Sequence, residues 1–467
     1  MHRQLYKCNY LNKIGNRQFK ENKLLCSFWL LVVAVLLYGT VSGQYSSGDK
    51  HPATGSKDAA SLASAIKTDA RLNKVKGMAE RLVASGFTAG SGYGEVWIRD
   101  FNTFIRLSCK VLPRDSVREK LLLFFKMQGD DGNIIDGYIP KQKAGAGYDY
   151  IYRPAAPGLA GHKNTVETDQ ESSLIQAVYK YIESTGDKGI LEEVIAGKTV
   201  KTRMEAAMEY LMNSHYDKKY GLLYGATTAD WGDVQPESPW GVVIDSNSHM
   251  AIDIYDNAMF LIAINDYLKM VPGQRRWTKV QQGIRQQIRH VLWDAGRKKF
   301  RPHVYLNGSP FPKSFNEDVI LYYGGSAVAI EAGLLTKPEI EAVNRQMVAG
   351  VKASGAPSIG LTLYPTYPAG FFKNKGMYPY GYQNGGDWTW FGGRMVRQLA
   401  VNGFVSEAYA EIAPMLDRVI KNKGFYEWYT RDGKPDGSGS FRGSAGVLYD
   451  AINALQNWAD GLVRTHP

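Results

Sequence analysis

Cysteine is scarce in this chain: of 467 residues only Cys8, Cys26 and Cys109 are cysteine. The first two fall in an N-terminal leader, so the remainder has one thiol. It forms no internal disulfide, and there is no Cys-x-x-Cys pair or Cys/His cluster to hold zinc. A phosphate-cradling G-x-x-x-x-G-K-[ST] loop is missing, as is a G-x-S-x-G nucleophile elbow. Histidine is sparse, and His162, His249 and His303 stand apart, reading as polar or core residues. The turn at 129–133 (Gly-Asp-Asp-Gly-Asn) lacks the acidic spacing and closing Glu of a calcium loop. No metal or organic cofactor is therefore expected. There is also no block of one charge. Of the formal +11, residues 1–43 supply six Lys/Arg against Glu21 alone, leaving about +6 scattered over the rest. A nucleic-acid partner is not implied.

What is present begins with that leader. Arg3, Lys7, Lys13, Arg17, Lys20 and Lys23 precede an uncharged run at 24–38, LLCSFWLLVVAVLLY. Val41, Ser42 and Gly43 then put small residues where a signal peptidase reads. About 15 apolar residues are short for a span of about 20. The expectation is export to a periplasmic, extracellular or lumenal space after cleavage, with an uncleaved N-terminal anchor as the alternative. Residues 44–60 read as a polar linker, and 61–467 as one domain without a break in composition.

Within that domain, apolar residues recur at three- and four-residue spacing. The segments are 60–85, 102–111, 117–127, 169–184, 204–213, 256–270, 280–293, 327–333, 337–353, 388–401, 406–422 and 444–458. Strand character is confined to pieces such as 221–224 and 303–306. Twelve helices fit six hairpins, an inner and an outer ring, in an all-α (α/α)6 toroid. With 49 Gly, 29 Tyr and 10 Trp, the loops are long and aromatic, where functional residues concentrate.

Five stretches combine acids and aromatics beside glycine: EVWIRDF (95–101), IIDGYIP (134–140), TVETDQESS (165–173), TADWGDVQ (228–235), and the pair at 380–394 and 425–433. Sugar sites need this mixture, because flat rings stack on the apolar face of a sugar while carboxylates and Arg pair with its hydroxyls.

In order and content these stretches resemble the six-hairpin glycosidases, above all the glucosidase domain of glycogen debranching enzymes and the neutral invertases. Ile98, Arg99, Asp100 and Phe101 match the invertase V-R-D-F element. Asp169, Gln170 and Glu171 through Tyr181 match D-S-G-L-W-W-I…A-Y, with Ser172 and Ser173 where tryptophans stand. The run Gln383, Asn384, Gly385, Gly386, Asp387, Trp388 is similar to H-N-G-G-S-W. Asp230, Trp231, Gly232 and Asp233 match the debranching T-W-M-D element, and Tyr426, Glu427 and Trp428 a late P-E-hydrophobic element. The resemblance spans roughly residues 93–459.

The resemblance implies an inverting exo-acting hydrolase for a small glycoside or oligosaccharide, with Asp233 as general acid and Glu427 as general base. Asp230 competes for the acid role within the same turn. An inverting pair stands about 6.5–9.5 Å apart, with room for a water. Trp231 beside Asp233 is expected to desolvate it and keep it protonated; Glu427 is expected where water and hydrogen-bond donors reach it. Trp97, Trp231, Tyr382, Trp388 and Trp428 are expected to stack the sugar, and Arg99, Asp100, Asp169 and Asn384 to hold hydroxyls. Plainer roles compete: a helix-start ion pair for Arg99 and Asp100, an N-cap for Asp169. Gly232, in place of a bulkier residue, is expected to loosen its loop. Three rivals share these residues. A phosphorylase needs a basic pocket near Glu427, for which Arg431 is the one candidate. A non-catalytic carbohydrate-binding surface protein is the reading if the acids are misplaced, with a carboxylate separation well outside the inverting range. A lyase needs a Tyr/His pair, which His303 and Tyr305 suggest.

Overall fold

The inner and outer rings alternate along the chain. The computed structural model describes residues 56–145 and 149–465. The expected leader at 1–43 lies outside them, as do residues 44–55, while residues 56–60 of the expected linker open the first helix. Thirteen α-helices are present among the described residues: α1 Ser56–Thr68, α2 Ala70–Val83, α3 Ile98–Val111, α4 Arg114–Met127, α5 Asp169–Thr185, α6 Val200–Ser214, α7 Ile254–Met270, α8 Arg275–Gln287, α9 Tyr323–Glu331, α10 Lys337–Ser354, α11 Thr389–Val401, α12 Val405–Lys421 and α13 Arg442–Thr465. Twelve were expected. The segment 60–85 divides because Asp69 takes an extended backbone and its carboxylate caps α2 through the Arg71 N–H at 2.9 Å, the usual geometry of an N-cap.

Helices α3, α5, α7, α9, α11 and α13 pack each on the next, and α13 returns to α3, closing a ring. Outside it, α2 lies on α13, α4 and α6 on α5, α8 on α7, α10 on α9 and α12 on α11. Sequence patterning follows position. The outer helix α12 buries a stripe of Val405, Ala408, Ile412, Met415, Leu416 and Val419, the spacing of a one-sided amphipathic helix. Inner helix α7 is surrounded, and every residue from Ile254 to Ile264 is buried, so its apolar residues run all round. At α9, Gly324 and Gly325 admit Ile254, Trp231 and Asp230 so closely that a Cβ would stand 2.3–2.9 Å from them.

Strands of two to five residues decorate the loops. Val96–Trp97, Gly137–Pro140 and Leu159–His162 form one antiparallel sheet, and Tyr426–Tyr429 pairs with Pro435–Gly439. Leu222–Leu223 and Val304–Tyr305 fall where strand character was expected. The loops that carry acid–aromatic stretches enter the N-terminal ends of inner helices. Arg99 and Asp100 lie in the first turn of α3, Asp169 opens α5, and Trp388 precedes α11. Helix N-termini carry partial positive charge, which suits a mouth rich in carboxylates.

Candidate active site

A cavity of about 280 Å³ opens at that end of the ring. Every acid–aromatic stretch except 165–173 contributes directly to its lining: Trp97, Arg99 and Asp100 from the first, Asp136 from the second, Trp231 and Asp233 from the fourth, Tyr382, Trp388 and Glu427 from the last pair. The remaining stretch supplies Glu167 and Asp169, which stand behind Arg99 and hold it.

Arg99 organises this site. Its guanidinium meets Glu167 at 2.9 Å, Asp169 at 3.1 Å, and Asp136 and Asp233 each at 3.7 Å. Burial pulls the guanidinium's pKa down, but the surrounding carboxylates hold it well above the ordinary range. One cation cannot neutralise the three buried acids Asp136, Glu167 and Asp169 together with the half-buried Asp233, and burial favours the protonated form of the buried ones. Burial pushes Asp100 up to about 8 and Asp136 up to about 7, against the charge of Arg99. Burial likewise raises Glu167 and Asp169. At neutral pH Asp100 therefore presents a carboxyl that both donates and accepts, suited to a hydroxyl ligand. His162 is held neutral, because burial lowers it to about 4.

Asp233 follows Gly232 on a loop folded against Gln383. The Gln383 amide donates to Asp233 Oδ1 at 2.7 Å, while Oδ2 faces Arg99. Gly232 does not loosen this loop as expected. A Cβ there would stand 2.7 Å from Gln383 Oε1 and 2.9 Å from the Ala229 carbonyl, so glycine permits the close approach that brings Gln383 to Asp233. Trp231 does not wall off the acid either. Its ring packs against Trp388, Phe391 and Trp390, with centroids at 4.6, 4.6 and 5.3 Å, and the Asp233 side chain keeps 23% of its surface exposed.

Glu427, in the strand Tyr426–Tyr429, is only 5% exposed. Tyr93 Oη donates to Oε1 at 2.8 Å and the Ser438 N–H to Oε2 at 2.7 Å. Burial raises its pKa, the two donors oppose that rise, and the negative charge of Asp233 adds to it. The two carboxylates therefore sense each other across the cavity. Donors reach Glu427 as expected; open water does not surround it.

Several expected contacts lie elsewhere. Asp230 is buried, with Oδ2 and Oδ1 accepting from the N–H groups of Gly324 and Gly325 at 2.6 and 2.8 Å. It caps α9 and does not line the cavity. Asp169 is fully buried and pairs with Arg99 and with Tyr255 Oη at 2.8 Å, orienting the guanidinium and not a sugar. Asn384 is closed by the backbone of Tyr367 and Met377, bracing its loop. Trp428 packs edge-on to Tyr382 and is outside the lining. Ser172 and Ser173, where the resembled element has tryptophans, are buried within α5 and do not line the cavity. Sequence reasoning missed Tyr93, Asn164, Asn374 and Phe441, which line the cavity; His162, read as a polar or core residue, lines it too. Of Trp388 and Trp390, two apart at a helix start, at most one was expected to face the cleft, yet both line it. Asp136 and Gln383 lay inside stretches already singled out.

The rivals' residues are also placed. Arg431 lies over the Tyr380 ring at 4.8 Å and does not line the cavity. His303 and Tyr305 both bond to Glu317, at 2.9 and 2.7 Å, away from it. Asp131 closes its turn through the Asn133 N–H at 3.1 Å.

No family model and no curated protein sequence matches the chain. Solved structures do. The GH63 mannosylglycerate hydrolase from Thermus thermophilus, solved with glucose, is similar at 15% identity and a TM-score of 0.59, over 80% of this chain and 99% of that one. An uncharacterized conserved protein from the same organism gives 0.60 at 15% identity, with the same coverage. A rhamnosidase from Klebsiella oxytoca with rhamnose bound gives 0.54 at 14%, over 84% of this chain and 64% of that one. Together with the closed double ring, these show the (α/α)6 toroid fold.

Proposed function

We propose that the chain hydrolyses the glycosidic bond of a small or terminal sugar unit with inversion, Asp233 acting as general acid and Glu427 as general base. The observation that carries this reading is that two carboxylates from distant stretches line one aromatic cavity, each held by its own donors. Gln383 fixes Asp233, and Tyr93 with Ser438 fixes Glu427. In an inverting reaction the acid protonates the leaving oxygen while the base takes a proton from water on the opposite face. The donors on Glu427 favour its ionised form against burial. The cavity volume lies near the lower end of the about 300–1,000 Å³ typical of small-molecule sites, room for one sugar ring and the start of its aglycone.

The likeness in fold to a mannosylglycerate hydrolase and a rhamnosidase supports the hydrolase reading. Water is favoured over phosphate as the acceptor. Among the described residues the one guanidinium lining the cavity, Arg99, is engaged by acids, and Arg431 stacks on Tyr380. The leader directs export in this reading, with cleavage after Gly43 or retention as an anchor.

Asp233→Asn and Glu427→Gln are each expected to lower kcat by about 10²–10⁴ with unfolding midpoints preserved. NMR of the first-formed product should show the anomer opposite to the substrate's. Near-normal rates in both variants would falsify the assignment, and a retained anomer would exclude inversion.

A further inference from the structure

The ring holds a second, smaller cavity that the proposed hydrolysis does not use. Inner helices run from the mouth toward the far end of the ring. Lys180 stands well beyond Asp169 on α5, about 16 Å along the axis at a rise of about 1.5 Å per residue. Five inner helices line the cavity at this depth, with Arg106 from α3, Lys180 from α5, Glu331 from α9, Arg394 and Arg397 from α11, and Asp450 from α13. Its volume is about 20 Å³. A water needs about 10–15 Å³, so one water or one monatomic ion fits, and phosphate or a carboxylate does not.

This lining is short of negative charge. Its four cations face two carboxylates. Glu331 takes Arg394 at 2.8 Å and meets Arg397 only at 3.8 Å, while Asp450 meets Arg106 at 3.6 Å. Arg106 also pairs with Glu183 at 2.6 Å, an acid outside the lining with 47% of its side chain exposed. Asp266 of α7 is taken by Lys269 at 3.0 Å. Among the described residues no carboxylate pairs directly with Lys180. Its ammonium donates to the carbonyl and the side-chain oxygen of Asn102, both at 2.9 Å, and an ammonium has three N–H donors. Burial pulls Lys180 down to about 7, and Arg106 and Arg394 push the same way against Glu331 and Asp450. Burial also raises Asp450, which thins the negative charge further. Helix dipoles do not account for the surplus of cations. The negative end of a helix acts within its last turn, and Arg106, Lys180, Arg394 and Arg397 all stand earlier than that in their helices. An ion-pair network that closes on itself needs no ligand; this one does not close.

We infer that the cavity binds one monovalent monatomic anion of the halide class, held by the Lys180 ammonium and the guanidinium groups of Arg394 and Arg397. The ion supplies the missing charge and the missing acceptor at once, and it joins α5 to α11 inside the ring. Arg106 and Asp450 extend the same cluster across the seam between α3 and α13. Arg106 and Arg397 keep 25% and 31% of their side-chain surface exposed, which gives the ion a way in.

The test is urea unfolding of the full chain at fixed ionic strength, with sodium gluconate exchanged stepwise for sodium chloride or bromide. Gluconate is too large for the cavity. A ligand that binds only the folded chain stabilises it with the logarithm of its concentration once that exceeds Kd, so the wild-type midpoint is expected to rise with halide. Lys180→Met is expected to lose the rise. Arg397→Gln, at a half-exposed position, should keep the fold and weaken the apparent halide affinity about tenfold. In crystals grown with bromide, anomalous scattering should show the ion between Lys180 and Arg397. A midpoint indifferent to halide, a rise unchanged in both variants, or bromide absent from the cavity each overturns the site. If Lys180→Met fails to fold, Arg397→Gln and the bromide signal decide.

Discussion

Replacing Asp230 separates the two acids that share one turn. Asp230 sits at φ +58 and supplies both acceptors for the first free N–H groups of α9. Burial pushes its pKa well above the ordinary carboxylate range, against those two donors, so each bond has nearer neutral than ionic strength, about 1 kcal/mol. Alanine removes both acceptors and leaves two buried N–H groups unpaired, at about 1–3 kcal/mol each. Alanine also tolerates the left-handed backbone less well than aspartate, which adds up to about 1 kcal/mol. The expected loss for Asp230→Ala is about 3–4 kcal/mol. Glycine relieves the backbone strain and should lose about 3 kcal/mol by the same reasoning. Asparagine tolerates the backbone and keeps one acceptor, for a loss of about 1–2 kcal/mol. Urea unfolding followed by tryptophan fluorescence gives the order Asn, Gly, Ala, and kcat per folded molecule should stay near wild type in Asp230→Asn. An Asp230→Asn protein with an unmoved urea midpoint and no turnover would refute the capping role and return Asp230 to the chemistry.

Two further outcomes follow from the protonation pattern. Tyr93→Phe takes away one donor that holds Glu427 down against burial. The base then ionises at higher pH, so the acidic limb of kcat/KM should move upward and the loss should be largest at low pH; a limb that stays put would show that Glu427 is not the titrating base. Asp136 has a folded pKa of about 7 against an ordinary 3.8. Its contribution to stability is full below about pH 4 and is lost as pH rises through 7. Asp136→Asn should therefore flatten the fall in stability between pH 4 and 7 by up to about 1.4 kcal/mol per pH unit, measured by urea unfolding across that range.

Much of this architecture is written locally. Three- and four-residue periodicity marks the inner and outer helices alike, since both bury at least one face. The acid–aromatic stretches stand out because sugar recognition concentrates those residue types. What escapes is whatever depends on direction in space. Asp230 and Asp233 differ by three positions, and only the left-handed turn at Asp230 sends one carboxylate to the helix end and leaves the other beside Arg99. Asn384 sits between Gln383, which reaches the acid, and Gly385, yet its own side chain turns to the Tyr367 and Met377 backbone. Tyr93 lies in a glycine-rich turn with no periodicity, and its value comes from Glu427, which the sequence cannot show to be its neighbour. Asp69 breaks a long helical pattern with a single side chain, a change too local for periodicity to register.

The ring closes between α13 and α3, and that seam joins the two ends of the described chain. Arg442 bonds to the Thr88 carbonyl across 354 residues of sequence, and Tyr93 to Glu427 across 334. The other neighbours in the ring are successive hairpins with short separations, so they can assemble in order as the chain leaves the ribosome. The seam cannot, because its contacts wait for the last helix and carry the slow loop closure of high contact order. Since the seam also delivers the donor that holds Glu427, a growing or C-terminally cut chain has one carboxylate in place and the other unsupported. The Glu427 side of the cavity is thus complete only when the seam is closed.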